Sequence, residues 1–220
     1  LGATATSGQR CTATRRAFAA AAIYSRFVRI LASKFRDAAL PPVATRAAIE
    51  FGGGLRSHES VAAMLSLGVN RLVLGTRGLD EDFLSSLVRE HGEKIAVSVD
   101  VRQGKVQAEG WTRGTEMSLE ELCGRVAPLG LRYLIYTDIT RDGALAGPNL
   151  AALEGVLAQA GPVQVILSGG ISSLEDVKAV SRIRAPNFYG AIVGRALYEG
   201  RLQLKDALRV AGGMRHESGS

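Results

Sequence analysis

Phe51-Gly52-Gly53-Gly54-Leu55-Arg56-Ser57 is a glycine turn that ends an apolar run and opens a helical pattern. The same arrangement returns 116 residues later as Leu167-Ser168-Gly169-Gly170-Ile171-Ser172-Ser173. A further pair of matching stretches, Leu72-Val73-Leu74-Gly75-Thr76 and Ala191-Ile192-Val193-Gly194-Arg195, is offset by 119 residues. The chain therefore contains two copies of a unit made of strand, glycine turn, helix, strand and glycine.

The duplicated turns predict two phosphate sites. A glycine turn that opens a helix offers backbone N–H groups and the positive end of the helix dipole, and both suit a phosphate. Two such turns predict a ligand with a phosphate at each end. The alternative is that glycine at a strand-to-helix turn serves backbone geometry alone. The candidate phosphate-binding residues are Gly53, Gly54, Gly75 and Thr76 in the first copy and Gly169, Gly170, Gly194 and Arg195 in the second.

Composition bounds the class of protein. The 220 residues are 46% hydrophobic, which is enough for one large core and predicts one domain. The formal charge of +6 would favour a nucleic-acid partner. However, residues 1–46 carry eight Lys/Arg and one acid, so 19 bases and 20 acids remain in residues 47–220. This near balance predicts no nucleic-acid partner.

Cysteine, histidine and hydropathy patterns add three exclusions. Two cysteines without metal-type spacing fit a reducing compartment and predict a cytoplasmic protein. The three histidines are scattered, which argues against a histidine metal site. No apolar run approaches the roughly 20 residues that span a bilayer, so we expect no membrane partner.

Residues 1–46 differ from the rest, being basic and almost free of acids. Three interpretations remain open: a divergent or frame-shifted terminus, an organelle import peptide within residues 1–40, and a membrane-surface helix. Pro41-Pro42 separates this segment from the regular part of the chain.

From about residue 48, short β-rich runs alternate with amphipathic helices, which is typical of a parallel sheet with crossover helices. We expect strands near 48–52, 71–75, 95–100, 132–137, 163–168 and 189–194. Asp80 and Asn149 are expected N-caps, and capping boxes are expected at Ser118–Glu121 and Ser172–Glu175.

The spacing of these units predicts a (β/α)8 barrel built by half-barrel duplication. Six units in about 174 residues is about 29 residues per unit, close to the spacing of an eight-unit barrel. Residues 47–212 then hold units three to eight, residues 1–46 are a divergent segment, and residues 213–220 a flexible tail. We expect the barrel to be incomplete or divergent at its N-terminus, with uncovered sheet edges at strands 48–52 and 189–194 unless residues 1–46 fill the gap.

Polar residues at the carboxyl ends of the strands are the candidates for chemistry. Asp100 ends one apolar strand, and Thr137 with Asp138 ends the next. Asp142 lies in Thr140-Arg141-Asp142-Gly143, where an ordinary turn is the alternative. Trp111 lies in a polar loop and either stacks on a planar ligand or folds back on the barrel.

These residues carry a family resemblance over residues 48–210. The chain resembles the histidine-biosynthesis isomerase that converts an N′-formimino aminoaldose ribotide into the aminoketose by an Amadori rearrangement. The matching motifs are Gly52-Gly53-Gly54-Leu55-Arg56-Ser57, Ser98-Val99-Asp100, Gly104-Lys105-Val106, Glu109-Gly110-Trp111, Tyr136-Thr137-Asp138-Ile139, Arg141-Asp142-Gly143, Gly147-Pro148-Asn149-Leu150, Ser168-Gly169-Gly170 and Gly194-Arg195-Ala196-Leu197-Tyr198-Glu199-Gly200.

The resemblance implies a monomeric enzyme that needs neither a metal nor an organic cofactor and acts on a small bisphosphate ribotide. It implies Asp100 as a catalytic acid or base, Thr137 and Asp142 as supporting or acid groups, and Gly147 as a phosphate contact. In the family a partner aspartate lies in the first strand, in a Pro-Ala-Ile-Asp-like segment that this sequence lacks. Two alternatives therefore stay open: an impaired fragment that only binds bisphosphates or joins another barrel piece, and a dual-substrate isomerase that also accepts phosphoribosyl anthranilate.

Overall fold

A computed structural model describes residues 48, 50–108, 113–139 and 147–216. Within them lie eight strands and seven α-helices. The strands are β1 (Glu50–Gly52), β2 (Arg71–Leu74), β3 (Ile95–Arg102), β4 (Lys105–Ala108), β5 (Arg113–Ser118), β6 (Tyr133–Asp138), β7 (Gln164–Ser168) and β8 (Phe188–Ile192). The helices are α1 (His58–Ser66), α2 (Glu81–His91), α3 (Leu119–Val126), α4 (Leu150–Gln159), α5 (Leu174–Ser181), α6 (Arg195–Tyr198) and α7 (Leu204–His216).

Six strands form a parallel sheet in the order β1-β2-β3-β6-β7-β8. Each neighbour in this order is also the next parallel strand along the chain, as expected for right-handed crossover units. The strands β4 and β5 add an antiparallel hairpin to β3. The predicted α/β barrel class is confirmed, with the described strands forming a large part of the barrel wall.

The central parallel strands β3, β6 and β7 are largely buried on both faces, and their alternate residues pack into two different hydrophobic clusters. On β6 every residue is buried. Leu134 and Tyr136 join the large cluster between sheet and helices, while Tyr133 and Ile135 join a smaller cluster with Ala96 and Ile166. The smaller cluster lies on the inner face of the sheet.

Contacts between distant strands show that the sheet curls. The Arg71 guanidinium of β2 lies 3.6 Å from the ring centroid of Tyr133 on β6 and 5.4 Å from that of Tyr189 on β8. The same guanidinium pairs with Glu50 of β1. Four strands of the sheet thus meet around one side chain, so the inner face is concave.

The six predicted strands are all present, but the sequence interpretation missed the β4–β5 hairpin and treated this stretch as a loop. Its turn is encoded by Gln103 and Gly104, which have φ of 50° and 77°. Two successive residues with positive φ suit the two-residue turn of a tight hairpin. Val106 is the buried anchor of β4.

Three of the four expected helix caps are confirmed. Asp80 accepts from the Phe83 N–H at 3.0 Å, Asn149 accepts from the Ala152 N–H at 3.2 Å, and Ser118 forms a capping box with Glu121. The predicted Ser172–Glu175 box is wrong by one residue, since the box is made by Ser173 and Asp176. The same spacing fits both pairs, and the extended backbone of Ser173 selects the second.

The ends of the described chain leave open edges. Among the described residues, β1 pairs with β2 alone and β8 with β7 alone. The large apolar side chains exposed in this part of the chain lie on or after β8, namely Tyr189, Ile192, Tyr198, Leu204 and Leu208. Residues 1–46 and 217–220 lie outside the described residues, so the predicted boundaries at 47 and 212 stay predictions. No helix in the described ranges has the length and hydropathy needed to cross a membrane.

Gly78 lies in a close contact between the segment after β2 and the sheet. Its backbone presses on the sheet, because a Cβ there would lie 3.0 Å from Leu74 Cβ and 3.1 Å from Val97 Cγ2. We expect Gly78→Ala to lower the free energy of unfolding by about 1–3 kcal/mol, measured by urea denaturation. The control is Gly124→Ala on an exposed helical site with nothing within 4 Å, where alanine should stabilise by about 0.5–1 kcal/mol. Equal unfolding midpoints for the two variants would contradict this packing.

Candidate active site

A cavity of about 370 Å³ opens on the inner face at the carboxyl ends of the strands. This is where barrel enzymes carry their chemistry. All six parallel strands, or the turns that follow them, contribute to it. The lining residues are Glu50, Gly52, Gly53, Gly54, Leu55, Arg56, Val73, Gly75, Thr76, Arg77, Ser98, Asp100, Ile135, Thr137, Ser168 and Ile192.

Residues paired in register on neighbouring strands form one row across the opening of this cavity, which we call the mouth. Asp100 of β3 pairs with Thr137 of β6, Thr137 pairs with Ser168 of β7, and Ser168 pairs with Ile192 of β8. Register partners on adjacent strands lie side by side on one face of a sheet. The structure therefore brings together the predicted pair Asp100 and Thr137.

Asp138, the other polar residue at the end of β6, lies on the opposite face. It is 8% exposed and accepts a 2.9 Å hydrogen bond from Asn149 Nδ2 at the start of α4. Its neighbour Tyr136 also lies on this outer face, where burial and the charge of Asp138 raise its pKa to about 12. Asp138 thus connects β6 to the helix layer. Of the two polar residues at the end of β6, only Thr137 lines the mouth.

The first glycine turn follows β1 and needs glycine for its backbone. Gly53 and Gly54 have φ of 116° and 71°, a region that side chains rarely adopt. Ser57 then caps α1, and the Ser60 hydroxyl accepts from the N–H groups of Arg56 and Ser57 at 3.3 and 3.2 Å. The positive φ values show that the backbone needs glycine here, and both turn glycines also line the cavity, so the predicted phosphate binding stays a prediction that this geometry permits.

The second glycine turn repeats this geometry after β7. Gly169 and Gly170 have φ of 90° and 81°, and Ser173 caps α5 with φ and ψ of −144° and 167°, against −144° and 162° at Ser57. A Cβ on Gly170 would lie 2.9 Å from the Gly147 carbonyl oxygen and from Pro148 Cα. The loop before α4 therefore packs directly on this turn.

The second glycine of each unit also behaves alike in the two copies. Gly75 precedes the short 3-10 helix Thr76–Leu79, and Gly194 precedes α6. Gly75 and Thr76 line the cavity, whereas Gly194 and Arg195 follow the lining residue Ile192 without lining it themselves. The Arg195 guanidinium binds Glu199, which directly follows α6, and its predicted phosphate contact stays a prediction.

Two predicted site residues, Trp111 and Asp142, lie outside the described residues. Trp111 belongs to the segment between β4 and β5, and Asp142 to the segment between β6 and α4. Their predicted roles in stacking and acid catalysis stay predictions.

Sequence analysis missed Ser98, Arg56 and Arg77 as residues of the mouth. Ser98 could have been found from alternation alone, because it stands two residues before Asp100 and so shares its face of β3. Arg77 could not, since its guanidinium is held by Asp80 and lies 4.7 Å from the Phe83 ring centroid, contacts that the spacing does not reveal.

Other reactive side chains lie away from this mouth. Cys123 is buried in the helix layer, and burial raises its pKa to about 11, so the thiol stays protonated at neutral pH. His58 and His91 lie beside Glu90 on α1 and α2. No group of three or more ligating side chains suited to a metal occurs in the described part of the chain.

Comparison with known proteins agrees with this architecture. The family model described as "Histidine biosynthesis protein" matches residues 39–203. A relative from Opitutus terrae is 46% identical over 172 residues, which is 77% of this chain and 70% of the relative. One from Roseiflexus castenholzii is 45% identical over 163 residues, 74% of this chain and 67% of the relative.

A third relative, from Bacillus cytotoxicus, is 42% identical over 168 residues, 76% of this chain and 69% of the relative. All three are named 1-(5-phosphoribosyl)-5-((5-phosphoribosylamino)methylideneamino) imidazole-4-carboxamide isomerase. The matches thus span about two thirds of the length of each relative. With a family model that covers most of the chain and relatives at these identities, this protein belongs to the histidine biosynthesis protein family.

Proposed function

We propose that this chain forms the part of the barrel that carries the catalytic residues of an isomerase. This isomerase converts an N′-formimino aminoaldose ribotide into the corresponding aminoketose. The observation that carries the proposal is the row at the mouth, in which Asp100 lies beside Thr137 between two copies of one glycine turn. Relatives that carry the name of this isomerase support the substrate class.

The reaction needs an acid and a base in fixed positions. The acid protonates the ring oxygen of the aminosugar, and the bond from that oxygen to C1 breaks to leave an iminium. The base removes the proton from C2, and its electron pair forms the enaminol. Loss of the C2 hydroxyl proton and protonation at C1 then give the ketone, so the reaction is an isomerisation without oxidant or reductant.

Asp100 is the residue for one of these proton transfers. Its carboxylate lies near the carboxyl end of β3 at the mouth, where it can reach C2 or the ring oxygen of a ribotide that lies across the cavity. The Thr137 hydroxyl, next to it in register, suits an orienting hydrogen bond to Asp100 or to a substrate hydroxyl. Trp111 and Asp142 complete the proposed set as stacking and acid groups.

The glycine turns account for the two phosphates of such a substrate. Gly53 and Gly54 stand on one side of Asp100, and Gly169 and Gly170 follow Ser168 on the other. Phosphates held at both ends would fix the sugar over the Asp100 row, and positioning of this kind can supply several kcal/mol of a barrier. The proposed partner is thus a small bisphosphate ribotide, and the working form is a cytoplasmic monomer that does not bind nucleic acid.

Substitution of Asp100 tests the catalytic assignment. Asp100→Asn keeps the shape of the side chain but cannot exchange the proton, so we expect kcat to fall by about 10²–10⁴ with KM within threefold of the parent. A coupled assay of the isomerisation measures both constants. The matched control is Asp138→Asn, an equal change one residue beyond Thr137 but on the outer face, for which kcat should stay within about threefold. An Asp100→Asn variant that keeps a tenth of the parent kcat would remove Asp100 from the mechanism.

A second candidate function is bisphosphate binding without turnover. The specific observation in its favour is that Asp100 is the one strand-end aspartate that lines the cavity among the described residues, whereas the reaction needs both an acid and a base. Calorimetry with a non-reacting substrate analogue and the coupled assay separate the two functions. Binding without turnover supports the fragment, and turnover supports the isomerase.

The glycine turns should matter for either function. Alanine at Gly54 or Gly170 imposes a side chain on a left-handed backbone, at a cost of about 1–2 kcal/mol, and shifts the turn. We expect each variant to weaken binding of the bisphosphate analogue by about tenfold or more in calorimetry. Gly200→Ala is the control, because Gly200 has a similar φ of 70° with nothing within 4 Å and belongs to neither glycine turn. Unchanged affinity in the Gly54 and Gly170 variants would show that the turns do not hold the phosphates.

A further inference from the structure

Asp176, in the first turn of α5, holds the segment that follows the second glycine turn. Its Oδ2 atom accepts three hydrogen bonds, from the Ser172 N–H at 2.9 Å, the Ser172 hydroxyl at 2.9 Å and the Ser173 N–H at 3.0 Å. These donors immediately follow Gly169-Gly170-Ile171 in the chain. The carboxylate thereby fixes where the turn ends and the helix begins.

The other oxygen of the same carboxylate faces the loop before α4. A Cβ on Gly147 would lie only 3.1 Å from Asp176 Oδ1, and Gly147 also has a positive φ of 80°, so both the close approach and the backbone favour glycine. The same loop packs on the turn itself, since a Cβ on Gly170 would lie 2.9 Å from the Gly147 carbonyl oxygen. Asp176 therefore stands where three segments meet: the loop at Gly147, the turn at Gly170 and the start of α5.

In the first copy of the unit, a serine hydroxyl accepts the hydrogen bonds that the Asp176 carboxylate accepts in the second. Ser60 stands 116 residues before Asp176, and its Oγ accepts from the N–H groups of Arg56 and Ser57 at 3.3 and 3.2 Å. Arg56 and Ser57 are the counterparts of Ser172 and Ser173 at the same offset. The two copies thus use the same two backbone donors and the same position, but differ in the accepting group.

We propose that Asp176 is a positioning residue for the second phosphate of the substrate, a role that rests on the function proposed above. It acts through the backbone of Ser172 and Ser173 to keep Gly169 and Gly170 in the conformation that receives the phosphate. Because these two N–H groups are already bonded to Asp176, the phosphate is bound by the glycine turn and not by the N–H groups at the helix start. Ser60 performs the same task for Gly53 and Gly54.

The proposal separates the geometry of the cap from its charge. Asp176→Ala removes the acceptor, and the turn should loosen. Asp176→Ser installs the group that the first copy already uses, and the turn should keep its shape without the carboxylate. Ser60→Ala is the matched variant in the other copy, with the effect expected on the first turn alone.

The test is a titration with inorganic phosphate followed by ¹H–¹⁵N NMR of the full chain. The amides of Gly169 and Gly170 report the second site, and those of Gly53 and Gly54 report the first. We expect Asp176→Ala to raise the dissociation constant for phosphate at Gly169 and Gly170 about tenfold. The dissociation constant at Gly53 and Gly54 should stay within twofold of the parent value. In Asp176→Ser, the dissociation constant for phosphate at Gly169 and Gly170 should be within threefold of the parent value. Ser60→Ala should show the reverse pattern.

A steady-state assay supplies the second readout. Asp176→Ala should raise KM about tenfold with kcat within twofold, since the reacting groups are untouched. The proposal is overturned by unchanged phosphate binding at Gly169 and Gly170 in Asp176→Ala, by equal weakening at both pairs, or by an Asp176→Ser variant as weak as the alanine variant. If Asp176→Ala does not fold, the serine variant and Ser60→Ala still decide by the same criteria. A parent chain that binds phosphate at both turns without isomerising the ribotide contradicts the proposed function and leaves this titration decisive.

Discussion

The register of the parallel strands is the constraint on which the mouth depends. Asp100, Thr137, Ser168 and Ile192 are paired strand to strand, so a single row of side chains crosses four strands at one height. A slip of one residue in any pair would turn a strand's inner side chains to the helix layer. Asp138 shows this directly, because it stands one residue after Thr137 and binds Asn149 on the outer face. The register in turn is fixed by burial on both faces, since every residue of β6 is enclosed.

The duplication extends from the sequence to the backbone and its caps. The turns at Gly53-Gly54 and Gly169-Gly170 share their positive φ, and the caps Ser57 and Ser173 share extended dihedrals. The copies differ in some of their side chains. Ser60 in the first copy corresponds to Asp176 in the second, and Thr76 corresponds to Arg195. The backbone geometry of the turn is thus kept in both copies, while the side chains around it vary.

Much of the fold and of the site could be predicted because the decisive features are local. Alternating strand and helix patterns predicted the parallel strands, short polar residues before apolar stripes predicted most caps, and strand-end polarity predicted Asp100 and Thr137. The β4–β5 hairpin was missed because its two strands, Lys105–Ala108 and Arg113–Ser118, contain few apolar residues, so their apolar signal is weak. The cap at Ser173 and the packing of Gly147 on Gly170 depend on tertiary contacts that spacing cannot rank.

The central claim is that one bisphosphate ligand spans the two glycine turns and places its sugar over Asp100. The most direct measurement is a crystal structure of this chain with a non-reacting analogue of the ribotide. We predict one phosphate at Gly53-Gly54, the other at Gly169-Gly170, and C2 of the sugar about 3–3.5 Å from the Asp100 carboxylate. An analogue with both phosphates at one turn, or with its sugar away from Asp100, would contradict the account.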